Sequence, residues 1–372
     1  MHHPPLSNPP ARPRRVDTLI VGGGPAGAAA AIGLARGGRS PLILERQREG
    51  ADALCGGFLS WTTIAALERL GVPAEGLGGH RIDRMKMFAG HRTACARLPA
   101  PAMGISRRRL DACLLARAEL EGVAVERGVA ASHFDDGGIT TADGALLRFD
   151  RMVLATGKHE LRGLARPAAE GDRMVGLRWR LAASPRLLEI LAHTIEIHCF
   201  RGGYAGLVMQ EETANLCLAV SRRRLAEEGT PDALLLALSR ECPALEGRLS
   251  ASSGLGERQA IANMPYGWRA RSSLPHVYRI GDQAGVIPSL AGEGLAIALV
   301  SGTRAARAIL QGRAAETFQP RLARHLRRPI GVAGAIADLA CRPGGARTIV
   351  ALAGMSPAIP NLAARLARVR PA

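Results

Sequence analysis

Aromatic residues are scarce in this chain of 372: three tryptophans, three tyrosines and six phenylalanines, 3% in all. The scarcity matters because the net charge is +17, and a basic protein that grips nucleic acid needs clustered charge or aromatic faces on which bases stack. Lysine is nearly missing too, at Lys86 and Lys158 only, so the positive charge is arginine scattered along the chain. That pattern argues against nucleic acid as a partner. An anionic membrane surface suits such a chain better. Ile359 to Arg370 alternates apolar residues with Arg365, Arg368 and Arg370, and reads either as a solvated last helix or as a peripheral membrane contact.

Other absences narrow the field further. The seven cysteines (55, 95, 113, 199, 217, 242 and 341) show no C-x-x-C spacing and stand beside no paired histidines, so neither a zinc site nor a disulfide framework is expected, and no metal. Residues 1–15 are Pro-rich and arginine-bearing without an apolar run, which reads as a tail and neither a signal peptide nor a membrane span. The expectation is a cytoplasmic protein, with membrane association left open. No internal repeat appears, and the length suits two domains.

What is present begins with Val16 to Gly27, an apolar strand running into Gly22-x-Gly24-x-x-Gly27 and an alanine-rich helix. Gly22 permits a tight turn, Gly24 carries no side chain to obstruct a pyrophosphate, and Gly27 allows the helix to pack on the sheet. The helix N-terminus, opened by Pro25, offers N–H groups from Ala26 onward to phosphates. A second strand, Ser40 to Leu44, ends at Glu45, whose carboxylate can accept from ribose hydroxyls. Strand, helix, strand and acid in register predict a dinucleotide site.

Further on, periodicity predicts helices over Trp61 to Leu70, Leu110 to Leu120 and Gly294 to Leu310. It predicts a hairpin over Ile139 to Leu147 turning at Asp143-Gly144, and a buried strand from Met152 into Thr156-Gly157. Between Val175 and Met264 the pattern becomes short alternating strands with one helical insert, a largely antiparallel second domain. Val277 to Ile280 then returns to the parallel-strand style. The fold class expected is α/β, a Rossmann-like nucleotide-binding domain with an inserted antiparallel substrate domain. The boundaries expected are 16–60, 100–170 and 270–312 for the first, 61–99 and 171–269 for the second, and 313–372 for C-terminal helices.

Three separated motifs line up: the glycine turn with Glu45-Arg46, Ile105 to Asp111 around Arg107, and Tyr278 to Gly285 with Ile287 to Gly294 after it. Together they resemble the FAD-dependent oxidoreductase superfamily that contains the aromatic hydroxylases and the geranylgeranyl reductases. The resemblance runs from Val16 to about Leu310. It implies FAD extended between two domains, with Gly22, Gly24 and Gly27 at the pyrophosphate and Pro25 and Ala26 beside them. Glu45 would meet the adenosine ribose, and Arg46 and Arg107 the flank of the cofactor. Asp282, after Gly281, would take a ribityl hydroxyl. Gly292 and Gly294 would open a helix toward the flavin, where its positive end favours reduced flavin. Thr156-Gly157 stands where hydroxylases carry Asp-Gly. Cys55-Gly56-Gly57 resembles the Cys-Gly segment of the geranylgeranyl reductases, which makes that branch the nearer one.

The resemblance implies hydride transfer from reduced FAD to a carbon–carbon double bond of an apolar isoprenoid, lipid or polyketide, with NADPH or NADH as donor. A monooxygenase acting on a phenolic or polyketide substrate is the rival reading, and an electron-transfer flavoprotein the third. Cys55 is either the acid that supplies the proton or a packed small residue. Tyr204, Tyr266 and Trp268 either line the substrate pocket or pack a core.

Overall fold

The computed structural model describes residues 14–135, 138–167, 174–342, 344–356 and 358–370. The tail up to residue 13 and the expected boundary at 170–171 lie outside them. Two sheets organise the chain. The first has seven strands, in the spatial order Ala124–Arg127, Leu42–Glu45, Arg14–Val21, Leu146–Leu154, Gly138–Thr141 and Ala131–Asp135, with Val277–Arg279 also on Leu146–Leu154. Its central pairs are parallel, and the helices that cover it include Pro25–Arg36 and Gly294–Leu310.

Residues Leu19, Ile20, Ile43 and Val153 are wholly buried in this sheet, as parallel strands covered on both faces require. Four successive alanines, Ala28 to Ala31, are buried on the first helix. They let Gly294–Leu310 approach so closely that a Cβ on Gly302 would lie 2.3 Å from the Ala26 carbonyl oxygen.

Two expectations change here. Arg14 and Arg15 belong to the first strand and not to a tail, because they pair with Leu147 and Arg148 and form ion pairs with Glu126 and Asp150. The hairpin and the buried strand after it are one continuous strand, Leu146–Leu154. Its first residues pair antiparallel with Gly138–Thr141, and its last pair in parallel with Val277–Arg279. The Asp143-Gly144 turn stands as expected, Gly144 having φ +87°. At the edge strand, the Gln319 side chain accepts from the Arg279 N–H and donates to its carbonyl, at 3.1 and 3.3 Å.

The second sheet has eight strands, from Leu255–Met264 through Met174–Ala182, Thr213–Ser221, Gly203–Gln210, Thr194–Phe200, His80–Ala89 and Arg92–Gly104 to Phe58–Leu59. All pairs are antiparallel except Thr194–Phe200 on His80–Ala89. Counted by sheet, Phe58 to Gly104 belongs here, so the boundaries expected at 60 and 100 fall a few residues inside it.

One face of the second sheet carries a core of Leu177, Trp179, Leu181, Leu216 and Leu234. Strand alternation turns Ile197, Tyr204 and Ala219 to the other face, where they meet Ala337, Ala340 and Val350 of the C-terminal helices. Those helices are Ala315–Cys341, Gly345–Met355 and Ala358–Ala367.

Candidate active site between the sheets

A cavity of about 1350 Å³ runs between the two sheets, beyond the roughly 300–1,000 Å³ usual for small-molecule pockets. Gly22, Gly24, Pro25, Ala26, Glu45, Arg46, Cys55, Arg107, Thr156, Gly157, Gly281, Asp282, Gly292, Gly294, Tyr204 and Tyr266 all line it. Gly27 and Trp268 do not. Gly27 acts from behind: a Cβ there would lie 1.9 Å from the Gly22 carbonyl oxygen, so its role is close packing of turn and helix. Trp268 instead stacks beneath the Arg166 guanidinium, 5.7 Å from the ring centre.

The glycine turn is built for an anion. Gly22 adopts φ +106°, and a Cβ there would meet the Ala155 carbonyl oxygen at 2.5 Å. Gly24 opens on the cavity, with Arg107 Nη2 nearest to its Cβ position at 3.4 Å. The helix that follows has Pro in its first turn and no side-chain cap, so its first N–H groups lack helical acceptors and face an open cradle. Glu45 is held by accepting from the Gly23 N–H at 2.7 Å and the Gln47 N–H at 2.9 Å, which leaves lone pairs for two hydroxyls.

Basic side chains flank this end. Arg107 forms a two-pronged pair with Asp111 at 2.8 and 2.7 Å; burial opposes its charge, and the attraction of Asp111 outweighs that and keeps it charged. Arg46 lies 2.7 Å from His159 Nε2. Burial, and then the charges of Arg46, Lys158 and Arg166, push the His159 pKa down, so that ring is a neutral acceptor.

The downstream motif closes the cleft. Gly281 takes φ +58° and donates its N–H to Ser301 Oγ at 2.8 Å. Gln283 donates to the carbonyls of Gly157 and His159 at 3.0 and 3.1 Å, which ties the Thr156-Gly157 turn to Asp282. Gly292, at φ +64°, leaves room for Phe58, whose ring a Cβ would meet at 2.8 Å. Glu293 is wholly buried and gathers Ser60 Oγ, the Val369 N–H and Arg368. Arg368 also lies 4.3 Å over the Trp61 ring, so it turns inward and is no part of an exposed basic stripe.

Sequence reasoning missed the residues that hold the Cys55 loop. Asp52 accepts from the Arg107 and Arg108 N–H groups at 3.0 and 3.4 Å and pairs with Arg178 and Arg180. Arg178 donates to the carbonyls of Asp52 and Ala53, Lys158 to that of Leu54, and Asn215 to those of Cys55 and Gly56. Gly57 is at φ +68°, and a Cβ there would lie 1.4 Å from Gln210 Nε2. The one signal available was two arginines in an otherwise apolar strand, Leu177-Arg178-Trp179-Arg180. Cys55 itself is half-buried on the cavity wall, with the Gly57 N–H 3.4 Å from its sulfur. All seven cysteines are free, Cys95 being exposed. No cluster suited to a metal occurs among the described residues.

The cradle at Gly24, the uncapped helix start and the anchored Glu45 fit the pyrophosphate and ribose of FAD, and the long cavity leaves space for the rest of the cofactor and for a substrate. FAD bound there supplies two-electron transfer. Residues 15–144 match the FAD binding domain family. Geranylgeranyl diphosphate reductase of Arabidopsis thaliana is 25% identical over 83% of this chain and 68% of its own length. Menaquinone reductase of Mycobacterium tuberculosis is 30% identical over 44% of this chain, and 6-methylpretetramide 4-monooxygenase of Streptomyces rimosus 31% over 41%. The chain spans 40% of the length of each of these two, and 25% of the rice geranylgeranyl diphosphate reductase. A solved geranylgeranyl bacteriochlorophyll reductase-like protein of Thermoplasma acidophilum superposes with a TM-score of 0.75 at 18% identity, covering 95% of this chain and 96% of its own. With the glycine cradle, the Arg107 and Asp282 motifs and the domain match in one cleft, residues 15–144 form an FAD binding domain, and the chain is similar to geranylgeranyl reductases, menaquinone reductases and a monooxygenase.

Proposed function

We propose that the protein reduces a carbon–carbon double bond in an apolar isoprenoid, lipid or polyketide substrate. The observation that carries this reading is the continuity of one cavity from the cofactor cradle at Gly24 to an aliphatic chamber walled by Met87, Ile197, Leu207, Ile336, Leu352 and Ile359. An apolar chamber excludes water from the reacting carbon and holds a long hydrocarbon by burial, at about 25 cal/mol per Å². The chain's own residues do the positioning. Gly22 to Ala26, Glu45 and Arg107 hold the nucleotide portion, Gly281, Asp282, Gly292 and Gly294 border the remainder, and the clamped Cys55-Gly56-Gly57 loop forms part of the wall.

Cys55 is proposed as the proton donor to the reduced carbon. Unchanged turnover in Cys55→Ala removes it from that role. The test of the function is anaerobic incubation of the FAD-loaded protein with NADPH or NADH and candidate isoprenoids, lipids and polyketides, with products read by mass spectrometry. Mass gains of two hydrogens support reduction. Oxygen-dependent, substrate-dependent hydroxylation would favour the monooxygenase reading, which the Streptomyces relative supports.

We also propose a peripheral membrane contact. No single described helix is long and apolar enough to cross a membrane. Yet Met355 and Leu362, which do not line the chamber, are exposed along the helices that wall it, with Arg365 beside them. Co-sedimentation with vesicles containing anionic lipid tests this; equal recovery with and without vesicles refutes it.

A further inference from the structure

Within the chamber, three hydroxyls stand together in a largely apolar wall. Tyr204 Oη and Tyr266 Oη each lie 3.1 Å from Ser289 Oγ. The three side chains reach the point from separate segments: the strand Gly203–Gln210, the chain after Leu255–Met264, and the short turn Ser289–Ala291 that precedes Gly292. Tyr204 is buried and Tyr266 half-buried, while Ser289 keeps its surface open. All three line the cavity.

Counting donors shows what the cluster offers. Tyr266 donates to Ser289, and Tyr204 sits within hydrogen-bond reach of Ser289 and interacts with Tyr266 as well. With the tyrosines donating toward it, the exposed Ser289 keeps its own O–H to turn to an acceptor in the cavity. Hydrogen bonds linked in a chain polarise one another, which strengthens the terminal donor. Burial raises both phenol pKa values, that of Tyr266 to about 12, so the unit stays protonated and uncharged at neutral pH.

The cations of the cavity lie elsewhere. Arg46 sits against His159, Arg107 against Asp111 and Arg127 against Glu119; Lys158 is on the Leu54 carbonyl and Arg368 on Glu293. Arg48 lies beside Gly128, by the nucleotide-side strands. Among the described residues of the aliphatic chamber, none places a cation beside the hydroxyls. A diphosphate buried there would remain uncompensated, which costs far more than burying a neutral carbonyl that accepts one hydrogen bond.

We propose that Tyr204, Ser289 and Tyr266 form a recognition site for a neutral acceptor oxygen, a quinone or ketone carbonyl, carried on an apolar substrate, and that the chamber does not take a diphosphate head group. This rests on the function proposed above and names the substrate class for the same chamber.

Equilibrium dialysis of the FAD-loaded protein against three probes tests it: a prenylated naphthoquinone, geranylgeranyl diphosphate, and an isoprenoid hydrocarbon without oxygen. The naphthoquinone binds at least about tenfold more tightly than the diphosphate. Tyr266→Phe and Ser289→Ala each weaken the naphthoquinone by about three- to tenfold, the range of one hydrogen bond, and leave the hydrocarbon unchanged. Melting temperature and bound FAD confirm that each variant is folded, and Ser289→Ala, at an exposed position, keeps the test open should a tyrosine variant misfold. Diphosphate binding as tight as the quinone, unchanged quinone affinity in folded variants, or no binding of the quinone overturns the proposal. Tight diphosphate binding with reduction of its chain would sink this assignment while leaving the reductase reading intact. Quinone binding sensitive to the variants, without any reduced product, would do the reverse.

Discussion

Replacing Asp52 by asparagine tests whether a buried charge, and not shape, holds the Cys55 loop in the cavity wall. Asparagine keeps an oxygen to accept from the Arg107 and Arg108 N–H groups, so what is lost is the charge facing Arg178 and Arg180 together with the second oxygen, which accepts from Arg180. Side-chain exposure there is 20% for Asp52, 4% for Arg178 and 19% for Arg180, which makes solvent screening weak. A hydrogen bond to a charged group contributes about 1.5–3 kcal/mol. Discounting for the two partly exposed members, Asp52→Asn costs about 2 kcal/mol. Asp52→Ala, which also orphans the two N–H groups, costs about 3–4 kcal/mol. Denaturant unfolding reads both.

The pH dependence supplies the control. Burial alone would raise the Asp52 pKa, but the hydrogen bond from Arg180 and the charges of Arg178 and Arg180 outweigh it and leave it below the ordinary 3.8. A carboxyl whose pKa is lower folded than unfolded contributes stability that is fully present above pH 3.8 and is lost as pH falls through the folded value. The gap between the natural protein and Asp52→Asn should therefore be constant from neutral pH to about pH 4 and close below it. Equal unfolding midpoints at neutral pH, or a gap that persists in acid, refutes the charge-clamp argument.

Gly57→Ala should cost about 2 kcal/mol or more in unfolding free energy, because φ +68° strains any side chain and the new Cβ would also lie 2.7 Å from the Ile105 carbonyl oxygen; retention of the normal midpoint would refute it. Gly24→Val behaves oppositely. Its backbone is in an ordinary region, φ −67°, and only the side-chain ends of Arg107 and Asp111 lie near its Cβ position, at 3.4 and 4.0 Å, so the apoprotein should lose no more than about 1 kcal/mol, the cost of a poor N-cap, while visible flavin absorption of the purified protein falls. Arg368→Ala should destabilise by about 3 kcal/mol, since Glu293 is left buried without its cation. Adding Glu293→Gln should recover part of that loss, as a double-mutant cycle would show.

The nucleotide half was legible because its physics is local. A strand, a turn requiring glycine, a helix start and an acid two elements later occupy neighbouring positions in the chain, and one residue of each type suffices to announce them. Gly22, Gly24, Glu45, Arg107 and Asp282 accordingly stand on one cavity. Trp268 misled because composition registers that an aromatic is rare but not which way it faces; the bridge between Arg269 and Gly285 sets it beside Arg166 and away from the chamber.

From the residue order alone came the dinucleotide cradle, the α/β class, the inserted antiparallel sheet and the long helices, since each depends on periodicity and on backbone conformations that particular residues permit, while FAD itself came from the resemblance of the three motifs. Only the tertiary structure brought Asp52 to Arg178, Glu293 to Arg368, and Tyr204 to Ser289 and Tyr266. Those pairs lie from 23 to more than a hundred positions apart, and a charge or a hydroxyl acquires its meaning from partners that the chain delivers only once it has closed.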